Sequence, residues 1–410
     1  MNARNKVQLL RLKIANFRSF GKEQEISFSD DGDTTRKVTA IIGLNASGKS
    51  NLLRAMSVLQ SMVKSSANAD FKLPYDHFLF TEGYEEEPTR FELQFKCNRS
   101  LFIYSVAFNS EIIVSESLKE KALNAQRQKC IFERSRDVIN PGAVNYGFNR
   151  ALVARTRPNT LLITKAIENN NDYAIAVHSA INSFYILTCA NGQLEGAAIS
   201  LLRKHPELIQ ETLAALHKAE FSIQNIRLDD VMFPTELLDK MNIPEEAKTM
   251  MRSTPGIMMN SGHILKDDFH NPVLTNGSPT YVGLNIGEES IGTRAFLGVI
   301  VPIIDSIRKG KVLFVDEFGA YLHYNLVQRI ITSYKKHDSA PGIIVCTHAG
   351  MMLNCIDRDS IFIMKKNPKT EESTIHKLSE ERARLDENYS NGYYSSNRYE
   401  LLKHKSDDLF

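Results

Sequence analysis

The chain has 410 residues, 42% hydrophobic and 24% charged, enough to bury a full core without disulfide or metal staples, which excludes a peptide, a disulfide scaffold and a simple tail. Lys plus Arg total 50 against 48 for Asp plus Glu, a formal charge of +2. Composition therefore announces neither a nucleic-acid nor a membrane partner, and any basic surface must be local.

Up to Gly43 the chain reads as strands. Leu10, Leu12 and Ile14 alternate with charged neighbours, QEISF follows a polar turn, and VTAII is a short apolar run. After Ser50 the period changes: Leu52, Leu53, Met56, Leu59, Gln60 and Val63 fall at helical spacing. From Pro88 to Ser115, RFELQF, LFIYSVAF and EIIVS read as a small meander. Residues 119–284 have a different texture. Helical periods such as PELIQETLAALHKAEF and PTELLDKM are separated by Asn, Gly and Pro, the marks of an insertion. From Ile291 the pattern returns to α/β, with a helix through Ile307, a buried strand KVLFV, a helix over Tyr324 to Lys336, and strands PGIIVCT and SIFIM. The tail from Glu371 is charged and carries Tyr389, Tyr393, Tyr394 and Tyr399, and it is expected to fold only against a partner.

Gly43-Leu44-Asn45-Ala46-Ser47-Gly48-Lys49-Ser50 fits G-x-x-x-x-G-K-[ST] between a predicted strand and a predicted helix, the context that pattern requires. Its glycines let backbone N–H groups turn onto phosphate oxygens, the helix start adds its dipole, Lys49 reaches the β- and γ-phosphates, and Ser50 can ligate Mg²⁺, with Asn51 following. The competing account, a chance turn, does not explain the flanking elements. Val312 to Glu317 is an apolar strand ending in two acids, which period two turns to opposite sides. Asp316 is the candidate Mg²⁺ ligand and Glu317 the candidate that orients or deprotonates water. Alone, they would equally be a solvated strand end. GIIVCT ends at His348, which a neighbouring strand would bring to the same edge as a γ-phosphate or water contact. Ser290, Gly292 and Thr293 precede a helix. Ser290 reads as its N-cap, and the same residues can also bind a γ-phosphate.

In the order P-loop, signature, acidic strand and histidine, these pieces resemble the ABC/SMC-like ATPase heads, the branch with Rad50 and RecF repair ATPases and the AAA-15/AAA-21 ATPases of bacterial defence operons. EESIGTR, DEFGAYLH and LDENYSNGYYSSNRY are most similar to the RloA/AbiL type of abortive-infection ATPase. The resemblance implies an α/β fold of P-loop NTPase, ABC/SMC-like head type, with a mostly helical insertion. It implies ATP and Mg²⁺ as cofactors, and a homodimer in which each Ser290-Ile291-Gly292 completes the other copy's site. LRLKIANFRSF looks like the first strand and turn, with Arg18 near the nucleotide. Gln94 in RFELQF matches the Mg²⁺-sensing glutamine of such heads, although strand alternation alone also explains it.

The expected division is residues 1–118 as the N-terminal lobe with the P-loop and 119–284 as the insertion. Residues 285–370 follow as the C-terminal lobe and 371–410 as an extension. Without heptads the insertion is a compact lid or docking platform rather than a coiled-coil arm. The segment around Asp267, Asp268, His270 and His263 has no metal-ligand spacing and reads as a polar loop. Five cysteines without a CxxC pair, no apolar leader and no apolar run near the roughly 18 residues of a membrane span point to a cytoplasmic protein. The leading functional expectation is an ATP-gated switch of an antiviral system that controls a separate effector, such as a Toprim-like nuclease. The alternative is a DNA-repair or chromosome-handling ATPase that clamps nucleic acid.

Overall fold

A computed structural model describes residues 7–97, 100–122, 127–188, 193–232, 234–241, 243–348 and 350–380. The alternating N-terminal run forms β1 (Gln8–Ala15), which turns back into β2 (Gln24–Ser27), and VTAII forms β3 (Val38–Ile42), buried along its whole length. Helix α1 (Lys49–Ser65) begins directly after the glycine loop and buries Leu52, Leu53, Met56, Leu59 and Val63, the residues its period predicted. The meander is β4 (Thr89–Cys97), β5 (Ser100–Phe108) and β6 (Ile113–Ala122), and it continues through β7 (Lys129–Ser135) and β8 (Val138–Ile139). Helices α2 (Arg150–Ala154), α3 (Leu162–Ile167) and α4 (Asp172–Asn182) lead to β9 (Tyr185–Leu187). There follow α5 (Gln193–Lys204), α6 (Leu208–Lys218), β10 (Asn225–Val231), α7 (Thr235–Lys240) and α8 (Glu245–Ser253). Next are β11 (Gly256–Ile264), the hairpin β12 (Leu274–Thr275) and β13 (Ser278–Pro279), and β14 (Tyr281–Asn285). The chain closes with α9 (Ile291–Lys309), β15 (Leu313–Val315), α10 (Tyr324–Lys336), β16 (Ile343–Thr347), β17 (Ile361–Lys366) and β18 (Ser373–Lys377). The tyrosines at 389 to 399 lie outside the described residues.

These elements form two compact units. One holds the described residues through Thr188, Lys309–Gly319 and those from Val327 onward, and the other holds the residues up to Arg308 that lie between, with Ala320–Leu326. The first contains a seven-stranded antiparallel sheet, ordered β2-β1-β4-β5-β6-β7-β8, and a six-stranded sheet, ordered β18-β17-β3-β16-β15-β9. In the second sheet all pairs from β17 to β9 are parallel, and β18 is an antiparallel edge. One apolar core joins Leu12 and Leu93 of the first sheet, Leu53, Met56 and Leu59 of α1, and Ile41, Phe314 and Ile344 of the second. Each such side chain contributes about 1.5–3 kcal/mol by burial. This is the head-type α/β P-loop NTPase fold that the resemblance implied.

The sequence reading began the insertion at residue 119, whereas the strands run on to Ile139 and the chain stays in the first unit through Thr188. The reason is one-sided burial: β6 and β7 turn residues such as Leu118 and Phe132 to the core and leave others such as Lys119 and Glu133 exposed, so the stretch looks like a polar connector. Helix α4 is tied to α1 by Gln60, whose Nε2 donates to the carbonyls of Ile181 (2.7 Å) and Phe184 (2.8 Å). Strand β9 then pairs with β15, a contact that no local pattern announces.

The fully buried Glu116 of β6 anchors this region. Its carboxylate accepts from Leu162 N (2.5 Å) and Ile163 N (3.1 Å) at the start of α3 and from Tyr104 OH (3.0 Å), and Arg134 Nη1 lies 3.8 Å away. Burial pushes its carboxyl pKa up, against the pull of Arg134 and the two amides. Glu116→Ala should cost about 3–5 kcal/mol, the usual cost of stripping one partner from a buried pair. Denaturant melts would measure this, and a loss below 1 kcal/mol would contradict it.

The second unit is built on the antiparallel sheet β10-β11-β14 with α5, α6 and α9. Phe221 packs on Phe296 with ring centroids 4.9 Å apart, and Arg294 Nε and Nη2 both lie 2.8 Å from Glu195 Oε2. The two helical patterns read from sequence are α6 and α7, but the sheet was not foreseen. Among the described residues no helix is long and apolar enough to cross a membrane.

Candidate nucleotide site

Parallel strands deliver their C-terminal ends to one edge of a sheet, where ligands of α/β folds bind. Here that edge carries, in order, Lys366 at the end of β17, the P-loop after β3, His348 after β16, and Asp316 and Glu317 after β15. A cavity of about 510 Å³ lies along it, lined by Arg18, Asn45 through Asn51, Asp316, Glu317 and His348, all singled out from sequence.

The loop is held by close backbone approach. Gly48, at the N-cap of α1, has φ +104°, and a Cβ there would lie 2.4 Å from Ser373 Oγ and 2.7 Å from Ser19 Oγ. At Gly43 a Cβ would meet Met364 O at 2.4 Å. Glycine is required at both positions. Ala46 is also left-handed, at φ +62°. Ser373 fastens the loop from outside, its Oγ donating to Ser47 O (2.8 Å) and its N–H to Ser19 O (2.7 Å). Lys49 Nζ folds back onto the carbonyls of Gly43 (2.8 Å) and Leu44 (2.9 Å). Burial lowers its pKa, and Cys346, Asp316 and Glu317 pull it back up. The amine is thus held at the loop it would leave for a polyphosphate.

Arg18, left-handed at φ +52°, donates from Nε to Asp76 Oδ2 (2.5 Å) and from Nη1 to Asn51 Oδ1 (3.1 Å). Asn51 Nδ2 in turn donates to Ser19 Oγ (2.7 Å). Strand alternation would turn Asp316 and Glu317 to opposite sides, yet both line the cavity. The strand has ended at Val315, and Glu317 is left-handed at φ +47°, with its N–H donating to Asp316 Oδ1 (3.0 Å). Asp316 is buried and Glu317 exposed, the difference expected of a metal ligand and a water-facing base.

The residues fit a nucleotide with Mg²⁺. Ser47 Oγ is buried without a hydrogen-bond partner, a donor waiting inside the loop. Ser50 and Asp316 would supply the few protein oxygens that Mg²⁺ takes when phosphates provide the rest. Gln94 is not among the lining residues. It stands in β4 beside Arg11 and Ile103, on the face opposite buried Phe91, Leu93 and Phe95, where strand alternation accounts for it. Among the described residues no cluster of His, Cys, Asp and Glu could hold a metal by itself. His263 Nε2 instead bonds Glu289 Oε1 (2.6 Å), and Asp267 caps its own turn through Phe269 N (2.9 Å) and Asn271 N (2.8 Å).

Ser290, Gly292 and Thr293 lie in the second unit at the start of α9. Ser290 Oγ accepts from Thr293 N (3.1 Å) and bonds Thr293 Oγ1 (2.8 Å), so Ser290 is the N-cap. Sequence reasoning missed Ser19, Asp76, His77, Leu79, Phe80 and Lys366, which also line the cavity. Lys366 was findable, because it ends a buried strand as His348 does. The 76–80 segment has no period and carries no such sign.

No curated protein sequence matches the chain. Among solved structures it is similar to the Smc head bound to the C-winged-helix domain of ScpA, at 12% identity over 91% of this chain and 98% of that one, TM-score 0.44. The SMC head domain from Thermotoga maritima is 15% identical over 90% and 98%, TM-score 0.39. The recombination mediator RecF is 13% identical over 92% and 100%, TM-score 0.36. A family model described as "AAA domain, putative AbiEii toxin, Type IV TA system" matches residues 38–349, a span that opens on β3 and closes just past His348. With its P-loop, acidic strand end and histidine gathered on one sheet edge, the chain belongs to this AAA_21 family of P-loop ATPase domains.

Proposed function

We propose that this protein is a Mg²⁺-dependent ATPase that works as an ATP-gated switch, pairing with a second copy of itself around nucleotide and controlling a separately encoded effector of an antiviral defence system. The observation that carries the nucleotide reading is the convergence of Lys49, Asp316, Glu317 and His348 on one cavity at the carboxyl edge of a parallel sheet. When bound, Mg²⁺ neutralises β- and γ-phosphate charge. Lys49 and the loop amides hold the phosphates, Arg18 steadies the nucleotide near Asn51, and Glu317 takes a proton from the attacking water with His348 beside the γ-phosphate. The P-loop family supports ATP use. The defence role rests on the resemblance of EESIGTR and DEFGAYLH to abortive-infection ATPases.

Pairing assigns Ser290 and Gly292 to the other copy's γ-phosphate. A Cβ at Gly292 would lie no closer than 3.4 Å to any neighbour, at Tyr321 O, so the monomer has no steric need for glycine there. Gly292→Asp should therefore fold and bind ATP but place a carboxylate against the partner's phosphate. Light scattering with and without ATP tests this: wild type is expected to double in mass with ATP and Gly292→Asp to stay single. ATP-dependent pairing of the variant would refute the assignment. Co-purification from the native host tests the effector. A stable complex with a nuclease supports the switch, whereas salt-sensitive binding to duplex DNA alone would favour a repair ATPase.

A further inference from the structure

The acids and the histidine end strands on one side of β3, and Lys366 ends β17 on its other side, so the cavity runs from Asp316 and His348, past the P-loop, to Lys366. Triphosphate chemistry occupies the first end. The other is bounded by the segment Asp76–Phe80, where Leu79 is 69% and Phe80 56% exposed.

Leu79 and Phe80 are adjacent and both exposed, and the segment that carries them is tied down. Arg18 N donates to Asp76 O (2.8 Å), Phe78 N donates to Asn16 Oδ1 (2.9 Å), and the Tyr75 hydroxyl sits 2.8 Å from Glu87 O. Phe78 is buried, and its ring meets Phe80 edge-on at 5.6 Å. Lys366 Nζ lies 5.5 Å from the Phe80 ring centroid and is paired with Glu371. The result is an aromatic face preset on a rigid segment, with a cation at its edge, at the end of the cavity away from the acids.

We infer that Phe80 is the platform on which the nucleobase of the bound nucleotide stacks, with Lys366 alongside it. This rests on the nucleotide reading above and adds where the base goes. A flat π-system on an exposed phenyl ring gains stacking that a bare phosphate chain cannot.

The test compares ATP with inorganic tripolyphosphate, which has the phosphates and no base, by titration calorimetry on the full chain with Mg²⁺. Phe80→Ala should weaken ATP binding about 5- to 150-fold, the range for losing one base–aromatic stack, and leave tripolyphosphate binding unchanged. Phe80→Trp should restore ATP affinity, since it keeps a π-face. Unchanged ATP affinity in Phe80→Ala, an equal loss for tripolyphosphate, or no rescue by Trp would each overturn the platform while leaving the phosphate cradle standing. Failure of the wild type to bind either compound would overturn the nucleotide reading itself, and this inference with it.

Discussion

Glu317→Gln should bind ATP as wild type does and release phosphate about 10²- to 10⁴-fold more slowly, the usual contribution of a positioned general base. Glutamine keeps the size and hydrogen-bonding reach of the side chain but cannot accept the proton. Binding should survive because the phosphates are held elsewhere, by Lys49 and the loop from Gly43 to Ser50. The backbone should survive as well. The left-handed φ of +47° is already borne by a residue with a Cβ, and the bond from the Glu317 N–H to Asp316 Oδ1 (3.0 Å) does not involve the side chain that changes. Two measurements decide the matter: equilibrium titration with ATP and single-turnover phosphate release. Unchanged release would remove Glu317 from the reaction, and lost binding would recast it as a phosphate or metal contact. If the proposed dimer forms, the slow variant should also accumulate it, since nucleotide persists between the copies.

The chemistry-bearing ends of strands were legible in the sequence because each joins two independent signals, a buried apolar run and a polar residue directly after it. VTAII before the P-loop, KVLFV before Asp316 and GIIVCT before His348 all became adjacent parallel strands, and strand adjacency is what brings their ends together. Gln94 had only one signal, alternation, and alternation is what the structure shows. The 76–80 segment was illegible because its order is tertiary. Asp76 is fixed by Arg18, and Phe78 by Asn16, about 60 positions away, and neither bond leaves a local period. The long antiparallel sheet was under-read for a similar reason. Glu116 and Arg134 look like surface residues until α3 and Tyr104 close over them. The helix-and-sheet texture of the second unit was read as helical because polar residues such as Asp229, Asp230 and Asn260 interrupt the period-two alternation of β10 and β11.

Lys49→Ala carries the second large effect, and its value lies in separating binding from stability. In the nucleotide-free protein the ammonium is buried, which disfavours its charge, and it is compensated by bonds to Gly43 O and Leu44 O at 2.8 and 2.9 Å. Removing it discards a desolvation cost and two hydrogen bonds together, so the free protein should melt near the wild-type temperature. The nucleotide complex has no such offset. There the ammonium makes charge-assisted bonds to phosphate worth about 1.5–3 kcal/mol, so ATP affinity should fall roughly 10- to 150-fold. At an ATP concentration of about 100 times the wild-type Kd, ligand binding stabilises the wild type by about 2.7 kcal/mol, while a variant 100-fold weaker gains only about 0.4. Mg-ATP should therefore raise the melting temperature of Lys49→Ala much less than that of wild type. A variant still stabilised by ATP to the same degree would mean that the phosphates lie elsewhere than on residues 43 to 50. A variant that melts far below wild type without ATP would mean that Lys49 serves the fold more than the ligand.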